Sequence, residues 1–174
     1  DPLEWSDSKS YKDRLNAARK KTGMDCGMMV VKTNINNINV TAISPTNEPD
    51  YDVAYESMNT TPSELSSIIS NLYARLTSEN LSDVQIISPE TFRVTINDTN
   101  KSTTNYVNSM FENSSIVAAT DVVATHTYQN PINPSDWLAL KSAALDKSIW
   151  VTESGNLHSP NWNMEDAAYH IDRI

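Results

Sequence analysis

The chain has very little of the chemistry that staples or anchors a protein. Cys26 is the single cysteine in 174 residues, so no intrachain disulfide and no cysteine-based metal site can form. The three glycines cannot be assembled into a Gly-rich phosphate loop, which weakens a nucleotide-binding, doubly wound fold. Cations are scarce: 13 Lys and Arg stand against 22 Asp and Glu, for a formal net charge of −9. Nucleic acid and anionic membrane surfaces are read by clustered Lys and Arg, so neither is an expected partner. No apolar run approaches the length that spans a bilayer. No signal peptide opens the chain either, and Asp1-Pro2-Leu3-Glu4-Trp5 reads as the interior of a longer protein. His126, His158 and His170 lack close ligand spacing, and neither H-E-x-x-H nor a G-x-S-x-G elbow occurs. No metal or cofactor is expected.

What remains is a soluble globular composition, 39% hydrophobic and 20% charged, of a length that suits one domain with a sizeable core. Asn-x-Ser/Thr sequons begin at Asn39, Asn59, Asn80, Asn97, Asn100 and Asn113. An Asn-rich chain produces some of these by composition alone, and Asn39 enters a strand expected to be buried. Several others fall in expected loops, as glycan acceptors of a secreted protein do. Secretion is therefore the expectation. The acidity is compatible with a neutral polysaccharide or oligosaccharide as partner but alone specifies none, and a monomer is expected.

Short β-branched runs punctuate the chain at 38–43, 84–87, 121–125 and 148–152. Each is nearly continuous in apolar character, as strands covered on both faces are. Between them lie helical patterns. The clearest starts at Pro62, with Leu65, Ile68, Ile69, Leu72, Tyr73 and Leu76 on one stripe. Thr61 is its expected N-cap, Pro62 its first residue, and Glu64 completes a capping box. Further helices are expected over 105–112, burying Tyr106, Met110 and Phe111, over about 135–145, and from about Asn163 onward. Alternating strands and helices imply βα units around a parallel sheet. The segment 20–32 fits none of these patterns.

In parallel α/β folds the functional groups gather at the C-terminal ends of strands. Here those ends carry Asn47-Glu48-Pro49, Ser88-Pro89-Glu90, His126-Thr127-Tyr128 and Glu153-Ser154-Gly155. Pro49 is expected to hold Glu48 in extended backbone and to stop the strand at the rim. If the sheet curves into a barrel, Glu48 and Glu153 face each other across its mouth. Glycoside hydrolysis needs such a carboxylate pair, one as acid/base and one as nucleophile or base. Singly, each residue also has a plain structural explanation: a strand-to-loop turn, a surface ion pair, a core histidine, a packing tyrosine. Asn47 offers an amide to a sugar hydroxyl. Trp150 lies within a strand and is read as core, while Trp162, after Glu153, is the better stacking platform.

The runs "AISPTNEPDY", "IISPETF", "VATHTY" and "IWVTESG", in that order, resemble the strand-end motifs of glycoside hydrolase family 30. The resemblance covers residues 33–174 and leaves 1–32 poorly matched. It implies an α/β fold, a (β/α)8 TIM barrel, present here only in part as about strands four to seven. It implies Glu48 as acid/base, Glu153 as nucleophile and Asn47 as a contact to the sugar beside the nucleophile. His126 and Tyr128 would line the subsite and support the nucleophile, with Tyr51 and Trp162 as further substrate contacts. The family retains anomeric configuration, so the carboxylates are expected about 5 Å apart. The Asn47-Glu48-Pro49-Asp50-Tyr51 run resembles the xylanase branch. β-1,6-Galactanase, β-1,6-glucanase and β-glucosidase activities stay open, as does an inactive carbohydrate-binding fragment. A full barrel takes about 250 residues, so 1–174 is read as an incomplete catalytic domain, inactive by itself.

Overall fold

The computed structural model describes residues 39–52, 58–96, 101–129 and 132–155. Its strands are β1 (Ala42–Ile43), β2 (Gln85–Thr91), β3 (Val122–His126) and β4 (Ser148–Glu153). Its helices are α1 (Pro62–Ser78), α2 (Thr103–Met110), α3 (Ser114–Ala119) and α4 (Pro134–Ala143). The strands lie in the order β1-β2-β3-β4 and every pairing is parallel. Parallel neighbours cannot be joined by a tight hairpin, and here the helices supply the crossovers. The result is an unclosed four-stranded portion of a βα barrel.

Strand alternation decides what points where. On the helix side, Ile43 and Ile86 pack with the α1 stripe of Leu65, Ile68, Ile69, Leu72 and Leu76. Val123 meets Val107 and Leu140 in a second cluster that also takes in Ile149. On the opposite side, Ala42, Ile87, Val122 and Ala124 form a third cluster. His126 shares the parity of Val122 and Ala124, so it belongs to this inner side at the C-terminal end of β3. Each fully buried Leu or Ile of α1 contributes about 1.5–3 kcal/mol of transfer free energy. That is ample to fix the helix against the sheet.

The α1 start is as its sequence implies. Glu64 N–H donates to Thr61 Oγ1, and Thr61 N–H donates to Glu64 Oε2. Other expectations need correction. Tyr73 is 48% exposed, because the buried stripe is narrower than the apolar pattern. α2 starts at Thr103, two residues early, since Ser102 accepts from Asn105 N–H and caps it. Phe111 lies past its end and is only half-buried. A separate short helix, α3, follows because Asn113 accepts from Ser115 N–H and restarts the turn. α4 closes at Ala143, and Leu145, in left-handed backbone (φ 58°), is exposed. Asn39 precedes β1 and is exposed. Trp150 is 40% exposed, for β4 has a neighbour on one side only among the described residues. The helix expected from Asn163, the segment 20–32 and Trp162 lie outside the described residues.

Candidate active site

β2 does not stop at Ile87 as expected. It runs through Pro89 to Thr91, with a register shift between Pro89 and Thr91. Proline within a sheet is confined to edges and bulges, and here the bulge falls immediately after it. Glu90 is the extra residue, in left-handed backbone (φ 61°). Its backbone carbonyl accepts from Glu48 N–H at 2.8 Å, which ties the β1 rim to the bulge. Thr46 Oγ1 adds a bond to Pro89 O.

Glu48 is not in extended backbone, as its proline neighbour suggested, but at φ 46°. The bond to Glu90 O and a turn closed by Tyr51 N–H on Glu48 O outweigh the local preference. Tyr106, reaching up from α2, donates to Pro49 O at 3.1 Å and also bonds Thr60 O. The peptide beside the carboxylate is thereby anchored to the helix layer.

These ends converge on His126, whose side chain is fully buried. Its Nδ1 lies 2.9 Å from Glu48 Oε1 and 3.6 Å from Glu153 Oε2. Its Nε2 lies 3.3 Å from Glu90 Oε2, a close ion-pair distance without an aligned hydrogen bond. Burial alone pushes the imidazolium down. The carboxylates of Glu90, Glu48 and Glu153 together outweigh burial, and the pKa of His126 ends above the usual histidine value. Glu48, His126 and Glu153 present one ligand atom each within 4.8 Å of one another, a spacing that also suits a metal ion. In this arrangement the imidazole Nδ1 itself occupies the space between the two carboxylates.

Glu153 ends β4 opposite His126 in register and is 45% exposed. Tyr128 O–H donates to Glu153 Oε2 at 3.1 Å, and Thr127 N–H donates to Glu153 O. Burial, followed by Glu153, pushes the Tyr128 phenol up to about 12, so the hydroxyl remains a donor. Gly155 makes room for this ring: a Cβ there would meet Tyr128 Cε1 at 2.9 Å.

A ring stack borders the carboxylates. Tyr51 lies on Phe92 at 4.2 Å between centroids, and Phe92 on Tyr128 at 5.0 Å. The Arg93 guanidinium covers Phe92 at 4.8 Å. Asp50 accepts from Phe92 N–H at 2.8 Å and holds the stack, with its own pKa raised by burial. Tyr51 is thus half-buried within the stack, whereas Asn47 is exposed at the rim. The sequence marked Glu90 as a strand-end group without giving it a role, and it did not place Phe92, Arg93 or Thr152 in the site. The local signal for Glu90, Phe92 and Arg93 was their place directly after the Ser88-Pro89 strand end. Nothing local marked Thr152, which donates to Glu90 from across the sheet.

Carboxylates gathered at the open C-terminal end of a parallel βα sheet, with aromatic rings beside them, have the arrangement that glycoside hydrolysis calls for. Residues 5–172 match the family described as glycosyl hydrolase catalytic core, and the chain belongs to that family. Its fold is shared with solved structures that include family 30 xylanases. The glycoside hydrolase family 30 subfamily 8 xylanase Xyn30A of Clostridium acetobutylicum superposes with a TM-score of 0.59 at 18% identity, over 78% of this chain and 31% of that one. SrfJ of Salmonella typhimurium superposes with a TM-score of 0.67 at 17% identity, over 83% of this chain and 32% of that one. The chain therefore spans about a third of the length of either structure. Separately, a stretch of 44 residues is 75% identical to the acetyl-coenzyme A carboxylase carboxyl transferase subunit beta of Pelagibacter ubique (strain HTCC1062). It covers 25% of this chain and 14% of that protein, too small a share to bear on the site.

Proposed function

We propose that the chain carries the catalytic centre of a retaining endo-glycosidase that hydrolyses a plant β-glycan. The observation that carries this reading is the convergence of Glu48 and Glu153 on His126, where each presents a carboxylate oxygen within 4.8 Å of the other's. Retaining enzymes keep their two carboxyl groups about 5–5.5 Å apart, while inverting enzymes leave about 6.5–9.5 Å for a water. Glu153, oriented by Tyr128, attacks the anomeric carbon as Glu48 protonates the departing oxygen. Glu48 then takes a proton from the water that releases the sugar from Glu153. A 2-fluoro glycoside should label a peptide containing Glu153. Labelling at Glu90 would overturn the assignment of roles.

Xylan is the proposed substrate, supported by the Asn47-Glu48-Pro49-Asp50-Tyr51 run and by the xylanase among the structural neighbours. The Tyr51–Phe92–Tyr128 stack offers apolar ring faces of the kind on which pyranose rings rest. A panel of xylan, β-1,6-galactan and β-1,6-glucan digests with product sizing decides among the branches. Binding without turnover is the second reading, favoured by the exposed outer strand β4. Affinity for xylan that is unchanged in Glu153→Gln, with no products from an eight-stranded version, would establish it. Secretion is proposed as well: Asn39, Asn59, Asn80 and Asn113 are all exposed, as glycan acceptors are. Loss of mass on enzymatic deglycosylation of protein from a eukaryotic host would test it.

A further inference from the structure

The proposed reaction uses two glutamates, yet a third is built into the same centre at greater structural cost. Glu90 sits in a bulge, in left-handed backbone, with its side chain about nine-tenths buried. Unpaired carboxylates are rarely tolerated in such surroundings. This one accepts a hydrogen bond from the Thr152 hydroxyl of β4 and lies 3.3 Å from His126 Nε2. It also fixes Glu48 a second way, through the backbone bond from Glu48 N–H to Glu90 O.

We propose that Glu90 is a positioning residue for the Glu48–Glu153 pair: it holds the far edge of the His126 ring so that Nδ1–H is presented between the two carboxylates. The inference rests on the glycosidase reading and deepens it. The groups facing His126 are Glu48 beyond β1, Glu90 in β2, Glu153 on β4 and the edge-on ring of Tyr128 at 5.8 Å. With Glu90 in place, both ring nitrogens have an anionic neighbour, and the imidazole stays doubly protonated. His126 then remains a fixed cation while Glu48 loses and regains its proton. Without Glu90, the ring is free to lose its Nε2 proton, and Nδ1 no longer has to face the pair as a donor.

The test is a pH titration of the 174-residue chain labelled with ¹⁵N-histidine, read by long-range ¹H–¹⁵N spectra, for the parent, Glu90→Gln, Glu90→Asp and Thr152→Val. In the parent, both His126 nitrogens should be protonated at pH 7. Glu90→Gln should lower the midpoint by about one unit or more, the usual effect of a lost neighbouring charge. Glu90→Asp should recover part of the shift, and Thr152→Val should move it less, in the same direction. Circular dichroism checks the fold, and Thr152→Val keeps the test decisive if Glu90→Gln does not fold. A parent His126 with one bare nitrogen at pH 7, or variants that titrate as the parent does, would overturn the proposal. These spectra need no turnover, so absence of hydrolysis by an eight-stranded version would defeat the glycosidase reading without deciding the role of Glu90.

Discussion

Replacing Glu48 by alanine, in a protein that carries this chain within a closed barrel, separates the two chemical steps. The Glu48 side chain is 16% exposed and is held by His126 at 2.9 Å, so its proton is delivered from a fixed point. A positioned general acid contributes roughly 10²- to 10⁴-fold, or about 2.7–5.5 kcal/mol at 1.36 kcal/mol per decade. That whole amount should be lost on xylan, whose leaving oxygen departs as a poor alkoxide. A dinitrophenyl xyloside departs as a stable anion and should lose less than about tenfold in its first step. Its second step should then limit the rate, because no base activates the water, and a burst of phenolate should precede slow turnover. Azide needs no deprotonation and should restore the steady state, giving a glycosyl azide of retained configuration. His126 keeps Glu153 and Glu90 as neighbours in this variant, so the fold should survive, as circular dichroism would check. Equal losses on both substrates, with no burst and no azide effect, would refute the acid/base role.

The histidine cluster should also be visible in stability. His126 is raised above its unfolded value, so its contribution is complete below about pH 6.5 and is lost as pH rises through the folded pKa. Melting temperature should decline over that interval in the parent and not in His126→Asn. Asp50 acts in the same direction at lower pH: its folded pKa is raised from 3.8 by burial, so its ionisation opposes folding increasingly as pH climbs past that value. Asp50→Asn keeps an acceptor for Phe92 N–H and should melt higher than the parent at pH 7 but not at pH 3. A lower melting point at pH 7 would contradict this. Gly155→Ala should push the Tyr128 ring off Glu153 and reduce kcat/KM by about tenfold or more, the worth of a hydrogen bond to a charged group. An unchanged kcat/KM would mean the ring gives way. Finally, the 174-residue chain alone should hydrolyse xylan at least about 100-fold more slowly than an eight-stranded version, since a misplacement near 1 Å suffices for that. Comparable rates would remove the argument from incomplete closure.

Much of this centre was legible in the chain because strand ends are chemically loud. Glu153-Ser154-Gly155 puts a carboxylate directly after a β-branched run, and Asn47-Glu48-Pro49 puts one a short loop beyond another, where burial would otherwise penalise it. The Thr61-Pro62-Glu64 start of α1 was legible for a similar local reason: every partner in the cap lies within three residues. The bulge at Glu90 was not legible. It depends on register against β3 and on a hydroxyl from β4, neither of which leaves a period in the sequence. The backbone of Glu48 misled in the same way, since the bond to Glu90 O overrode the preference set by Pro49. Tyr73 carried the right spacing but sat at the edge of the stripe, where spacing alone cannot separate buried from exposed. The short α3 has too few turns to display a hydrophobic period and was found only through its Asn113 cap.

Glu48 and Glu90 both occupy left-handed backbone, a conformation that costs a side-chain-bearing residue about 1–2 kcal/mol and that glycine adopts freely. Selection for endurance and selection for turnover should therefore pull these two positions apart. A library of variants screened only for survival on heating should accumulate glycine or asparagine at 48 and 90, gaining melting temperature as it discards the chemistry. The same library screened on substrate should keep both glutamates and collect its stabilising changes elsewhere. Where a lineage ceases to hydrolyse its glycan, these two backbone sites are where the loss would first become advantageous.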